Sequence, residues 1–459
     1  MEELIKKVKN GSITEEDIKD LSNSKKDYGK IEEYFKEYSK KDRTIRETQI
    51  GQTQKDKSIK DEKGNTKLVK AIRTIVSFQK KIVRNSVAFE FGNPPQLKPN
   101  IENDLTLKLK NVWVKNRMDS NIQEAKILQR SETLSAIIFQ IKKKEGEENS
   151  IKSKVLGYKE REFWPVFDFY GGMILFCWKF KTKERGKEVL NLWVYDEKII
   201  YKYKKVKDWA VDSQEVHGFD KIPVVVLTQD EPEWEDVKEL IDRYESLLSK
   251  LGAANNYSGS PLLFTVGKVS GMPDRDSDGK MINAQMEKTN DGKVIHGDAK
   301  FLTHDNAPES IKLEQETLED LIFSLTDTPN LSFNKLKGIG NVAGVALELM
   351  FLGSILKAKL NEGKNKTDIQ RIVNVLLSGI TNATDINLKG QLEGLVYDVK
   401  FMSPLPNDLA DLIVMLVKAT EGKIISREKA IEYLGLVDNV KDEMEKIKKE
   451  GGSDDGEAA

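Results

Sequence analysis

GIGNVAGVALELMFLGSILKAKL, residues 338–360, is the least polar stretch of a chain in which 32% of the residues are charged. It opens like a dinucleotide fingerprint, with Gly338, Gly340 and Ala343 in a G-x-G-x-x-A pattern. That motif needs a buried strand before it, a helix after it, and an acid at the end of a second strand. Here SFNKLK (332–337) precedes it and one long helical period follows, so the nucleotide reading fails. A membrane reading fails too. Residues 342–356 contain Glu348 and are closed by Lys357 and Lys359, whereas a span needs about twenty mostly apolar residues. What remains is a helix within a protein. Val342, Val345, Leu349, Leu352, Leu356 and Leu360 form one stripe, and Leu347, Met350, Phe351 and Ile355 cover the other side. Such a helix is expected to be buried around most of its circumference. Gly344, Ala346 and Gly353 let neighbouring backbones approach, each glycine at a cost of about 1 kcal/mol in helix propensity.

The rest of the 459 residues narrows the function. Hydrophobic residues make up only 38%, so much of the chain is solvated surface or faces polar partners. Basic and acidic residues nearly cancel, at net charge −1, which argues against a global electrostatic grip on nucleic acid. The single cysteine, Cys177, lies in the apolar run GGMILFCWKF (171–180) and reads as a buried, inert thiol. Three histidines, His217, His296 and His304, leave little material for imidazole catalysis or a zinc site. No P-loop, HExxH or nucleophile–base arrangement is present, so an enzyme is not expected, nor a cofactor. The start MEELIKKVKNG lacks an apolar h-region, which predicts a protein made and kept in a cytoplasm.

Along the chain, GSITEEDIKDL (11–21) offers two capping pairs, Ser12 with Glu15 and Thr14 with Asp17. Residues 55–67 read as a charged loop. Apolar positions 68, 72, 75, 76, 82, 83 and 87 predict one helix that Gly92, Pro94 and Pro95 stop. Residues 104–142 look mostly helical. Aromatic and β-branched runs predict an antiparallel sheet region over 151–228. A helix follows Pro232, then a Gly/Asp-rich β insert at 258–308, a second helix, and a polar helical region from 364 to about 450. The tail GGSDDGEAA is expected to be disordered. Within the insert, DRDSDGKMINAQ (274–285) resembles a calcium loop, but Gln285 stands where a bidentate Glu belongs. Asp274, Asp276 and Asp278 are thus a weak cation candidate beside the simpler reading of an acidic turn.

The two helices that frame the insert are acidic. Seven acids against three bases lie between residues 231 and 254, and six acids against Lys312 between 309 and 327. A solvated face is the ordinary explanation. An acidic wall would also repel phosphate and suit a channel through which DNA slides without sticking.

Four segments, in order, carry a resemblance. They are KKIVRNSVAFEFGNPP (80–95), FDKIPVVVLTQDEPEWEDVKELIDRYESLLSKL (219–251), NVAGVALELMFLGSILKAKLNEG (341–363) and the closing stretch from Met402 to Glu450 with SREKAIEYL. Together they resemble the portal proteins of tailed bacteriophages, of the long-tailed siphophage type. The resemblance implies an α+β portal architecture with long helices and a small antiparallel sheet region. It implies an N-terminal helical segment (1–29), a wing (30–230), stem helices (231–256 and 309–328) and a clip (257–308). A tunnel loop with its following helix (329–362), a helical crown (363–450) and the tail (451–459) complete it. Asn334, Lys335, Lys337 and Asn341 would face DNA on the tunnel loop. Glu235, Glu239, Asp242, Glu245, Glu316, Glu319 and Asp320 would form the acidic stem. Gly344, Ala346, Leu349, Gly353 and Leu356 would pack between subunits.

The implied function is a ring, typically dodecameric, at one capsid vertex of the virion, assembled in the host cytoplasm. Its partners would be further copies of itself, double-stranded DNA in the channel, terminase, adaptor or neck proteins, and capsid and scaffolding proteins, with no membrane. From the residues alone, a cytoplasmic scaffold or adaptor that binds proteins through its acidic helices, without DNA, is the alternative.

Overall fold

The computed structural model describes residues 2–22, 26–39, 56–60, 66–69, 71–144, 147–160, 162–184, 186–205, 207–258, 262–266, 268–270, 283–285, 287–288, 294–295, 298–302, 308–330, 349–402, 409–434, 437 and 440–451. Two short helices come first, α1 (Glu2–Asn10) and α2 (Glu15–Leu21). Of the two capping pairs, Thr14 with Asp17 forms the reciprocal box: each side chain accepts from the other residue's backbone N–H. Then come α3 (Tyr28–Tyr38), a hairpin of β1 (Lys57–Lys60) and β2 (Thr66–Val69), and α4 (Phe78–Phe91).

The hairpin replaces part of the expected charged loop, and α4 begins ten residues later than the apolar spacing predicts from 68. Residues 71–77 form no regular element instead. Their side chains are rich in β-branched Ile72, Thr74, Ile75 and Val76, which favour strand over helix. The Thr74 N–H donates to Ser249 Oγ at 2.9 Å and the Val76 N–H to Glu245 Oε1 at 2.8 Å. Tertiary acceptors on a later helix have taken the place of an intrahelical ladder. The predicted stop after Phe91 is present, with Gly92 as the C-cap.

Next are β3 (Gln96–Pro99), α5 (Asp104–Lys115) and α6 (Met118–Glu132), then eight strands. These are β4 (Leu134–Lys144), β5 (Glu147–Leu156), β6 (Glu162–Phe167), β7 (Met173–Glu184), β8 (Lys187–Tyr195), β9 (Ile199–Lys205), β10 (Trp209–Val216) and β11 (Val224–Thr228). The sheet region therefore starts at 134 rather than 151. It comprises a three-stranded sheet, β11-β4-β5, and a five-stranded meander, β6 to β10, all antiparallel. Leu134, Ala136, Ile138, Leu156 and Val224 of the first join Phe163, Phe176, Tyr195 and Ile200 of the second in one apolar cluster. The opposite face of the meander, with Trp164, Leu175, Cys177, Leu192 and Tyr203, is covered by Val8, Ile18 and Leu21 of the N-terminal helices and by Ile13 between them.

A 3-10 turn, Glu235–Val237, leads into α7 (Lys238–Ser258). The insert contains nested antiparallel pairs: β12 (Leu262–Val266) with β17 (Asp298–Leu302), β13 (Lys268–Ser270) with β14 (Asn283–Gln285), and β15 (Glu287–Lys288) with β16 (Val294–Ile295). The chain returns in α8 (Pro308–Leu325) and continues, past residues outside the described set, into α9 (Leu352–Gly379). This 28-residue helix runs straight through the 362/363 division drawn from the sequence. Its second half supplies Ile369, Ile372, Val373, Leu376 and Leu377 to the main core, where α4 to α8 also meet. Gly379 lies so near Phe219 and Ile151 that a Cβ there would sit 2.5 and 2.9 Å from their side chains. The region after 364 is not wholly helical. β18 (Tyr397–Lys400) alternates buried and exposed residues and pairs with β3, about three hundred residues earlier. Three more helices close the chain: α10 (Leu409–Glu421), α11 (Arg427–Leu434) and α12 (Val440–Gly451).

Candidate functional site

The acidic helices α7 and α8 lie side by side. Arg243 pairs with Glu314 at 2.5 Å, and Gln315 Nε2 donates to the Tyr244 hydroxyl at 3.1 Å. The Phe78 ring fills the space between Tyr244 and Phe323, 5.1 and 5.7 Å away. Among the acidic candidates, Glu239, Glu316 and Asp320 are exposed, and Glu235, Asp242 and Glu319 are half-buried. Asn330 donates to Glu319 at 3.1 Å. Glu245 departs from the expected acidic face. It is 1% exposed and holds the Val76 N–H. At about 100° per residue it stands some 240° around the helix from Glu239, so it faces the body of the protein.

The sequence candidates on the loop and the cation motif fall outside the described residues: Asn334, Lys335, Lys337, Asn341, Gly344 and Ala346, and also Asp274, Asp276 and Asp278. Among the described residues no group of His, Cys, Asp or Glu is placed to hold a metal ion, and no helix is long and apolar enough to cross a membrane.

The start of α9 corrects the picture of a helix buried all round. Leu349, Met350, Leu352, Leu356 and Leu360 are exposed in the single chain, Leu360 at 86%. The other face is attached. Phe351 stacks on Phe89 with 6.2 Å between centroids, and Ser354 Oγ donates to the Asp327 carbonyl at 2.6 Å. Gly353 lies against Asp327, whose Oδ1 would be 2.8 Å from an added Cβ. The residues expected to pack between subunits therefore divide. Gly353 serves contact within the chain, whereas Leu349 and Leu356 point away from it.

Beneath this stripe lies a buried ionic cluster that the sequence reading does not contain. Lys357 bonds to Glu233, just before α7, and to the Thr326 carbonyl, just after α8, the latter at 3.1 Å. Arg130 reaches Glu233 at 3.5 Å and Glu90 at 2.5 Å, and also binds Ser86. Asn361 and Asn365 donate to Glu90 at 2.9 and 2.6 Å. Lys126 donates to Asn365 and Asp368, both at 2.8 Å. Burial pushes the Lys126 pKa down and the Asp368 carboxylate opposes the shift. Helices α4, α6 and α9 and the near ends of both acidic helices are thus tied by charge. A weak signal for the cluster existed: Lys126 and Arg130 sit at i and i+4 beside Ile122 and Ala125 on the inward face of α6. Their partners lie 40 to 242 residues away, beyond local patterning.

A family model described as phage portal protein, SPP1 Gp6-like, matches residues 18–457 of the chain. No curated protein matches it.

Proposed function

Because this chain belongs to the phage portal protein family of the SPP1 Gp6-like type, we propose that its copies close into a ring, dodecameric as in the resemblance, that conducts double-stranded DNA at one capsid vertex. Portal proteins are capsid components that act in genome packaging, and the family is structural rather than enzymatic. In this reading residues 30–230 form the wing, α7 and α8 the stem, the β pairs between them the clip, and residues 363–450 the crown. The ring carries DNA inward during packaging and outward at ejection, and docks terminase, neck, capsid and scaffolding proteins.

The observation that carries the reading is the leucine stripe of α9. A stripe of large apolar side chains next to two acidic helices is unfavourable on a lone chain and is covered when a neighbouring subunit packs on it. Exposed Glu239, Glu316 and Asp320 keep the stem negative, so DNA phosphates slide past rather than bind. Lys335 and Lys337, in the sequence between α8 and α9, are the positive groups assigned to touch DNA. Negative-stain microscopy of the purified protein tests the proposal. Rings with a central hole wide enough for duplex DNA are expected. Monomers and dimers alone, under all assembly conditions, overturn it.

A further inference from the structure

The five-stranded meander carries a protruding aromatic tip at one end of β6 and an open cavity at the other. The tip is the turn from β6 to β7, Asp168-Phe169-Tyr170-Gly171-Gly172. Phe169 is 96% and Tyr170 93% exposed, their rings packed edge to face with centroids 5.5 Å apart. Phe167 beside them is also exposed. This turn is held firmly. The Asp168 carboxylate accepts from the N–H groups of Tyr170 and Gly172 at 2.9 and 2.7 Å. The Asp168 N–H bonds to the Gly172 carbonyl at 2.8 Å, and Gly171 takes the positive φ of 81° that the turn requires. Two aromatic side chains presented to solvent on a braced turn are a poor choice for a surface that stays bare.

The cavity, about 280 Å³, is lined by Tyr28, Gly29 and Glu32 of α3, Tyr158, and Glu162 at the start of β6. That space is large enough to receive an aromatic side chain. Its walls are firm as well. The Tyr28 hydroxyl donates to the Phe163 carbonyl and accepts from the Phe163 N–H, at 2.8 and 2.7 Å, and Tyr158 packs on Phe35 at 4.9 Å. Glu32 pairs with Lys36 at 2.8 Å and Glu162 with Lys179 at 3.6 Å.

We propose that the Phe169–Tyr170 tip of one subunit enters the Tyr28–Glu32–Tyr158–Glu162 cavity of the next, giving the ring a knob-and-socket contact. This rests on the ring reading above. Chemistry and placement both select a second copy of this chain as the occupant. The electropositive edges of aromatic rings match carboxylates and the faces of other aromatic rings, and the Tyr170 hydroxyl can donate to Glu32 or Glu162. Knob and socket stand at opposite ends of one six-residue strand, about 20 Å apart. A subunit cannot fill its own socket, and two different patches on one chain join head to tail, the contact that generates rings.

The test is a double variant, Glu32→Cys with Tyr170→Cys, in a chain whose one native thiol, Cys177, is buried. Oxidising assembled rings should give a covalent ladder that climbs past dimer towards the full ring on non-reducing gels. Each single variant should give nothing above dimer. A companion variant, Phe169→Asp with Tyr170→Asp, should raise the concentration needed for assembly by about tenfold or more, with an unchanged unfolding midpoint. Rings visible by microscopy with no ladder, or assembling at the wild-type concentration in the aspartate variant, overturn the contact and leave the ring reading standing. Failure of the wild type to form rings under the same conditions overturns both.

Discussion

Charged residues inside this protein were placed by partners far away in sequence, and their energetics follow from that. Lys126 is 2% exposed and Asp368 5%, so removing either leaves an uncompensated buried charge. Asp368→Ala should destabilise the chain by about 3 kcal/mol or more in denaturant unfolding, while Lys126→Met with Asp368→Leu should recover much of the loss. Glu132, at the end of α6, is a second case. Its carboxylate accepts from the Tyr158 N–H at 2.7 Å. Burial raises its pKa to about 7; the Tyr158 N–H pulls it down, Glu160 pushes it up, and Lys159 lowers it. A raised carboxyl contributes stability that is fully present below the unfolded pKa, near 4.3. That stability is lost as pH rises through about 7. Relative to Glu132→Gln, the wild type should lose up to roughly 3 kcal/mol between pH 5 and pH 8, measured by unfolding at each pH. On the same acidic helix Glu245 falls on the inward side with Ile241 and Tyr244, where the Val76 N–H gives its carboxylate a partner, while Glu239 faces water.

Elements were legible wherever hydrophobic periodicity was strong. The acidic helices appear at 238–258 and 308–325, close to the expected 231–256 and 309–328. Tertiary bonds overrode the pattern at 71–77. β4 went unseen because its strongly apolar centre, Ala136 to Phe139, follows directly on a helix without an intervening turn residue other than Thr133, whose φ is +64°. The α9 leucines show what periodicity does convey, that a stripe needs cover, and what it does not, whether the cover comes from the same chain. Leu356→Asp with Leu360→Asp should change the stability of the isolated chain by no more than about 0.5 kcal/mol, as for surface positions. The same variant should abolish the oligomer seen by light scattering. An oligomer that survives unchanged would remove this stripe from the interface.

At the scale of the whole molecule, family membership came from the order of segments spread over most of the chain, not from any one motif. Lys335 and Lys337, proposed above to touch DNA, and the cation motif lie outside the described residues, so the sequence remains the only source for both proposals. The N-terminal helices behave as a cover on the meander, with Val8, Ile13, Ile18 and Leu21 in the cluster that encloses Cys177. Burial pushes the Cys177 thiol far above its ordinary value. Ellman's reagent should leave it unmodified in the native chain and react with it after deletion of residues 1–22. A thiol that stays inert in the shortened chain would show that the sheet is closed by other means.

Helix α9 also has a mechanical side. Its 28 residues span about 42 Å. The middle is pinned by Asn361, Asn365 and Asp368, and the far half is set in the core. The leading end, about 20 Å from Asn365, is tied to the end of α8 through Ser354 and Lys357. A rotation of about 5° about Asn365 would move that end by roughly 2 Å, as a lever arm does, and would load the acidic pair through these bonds.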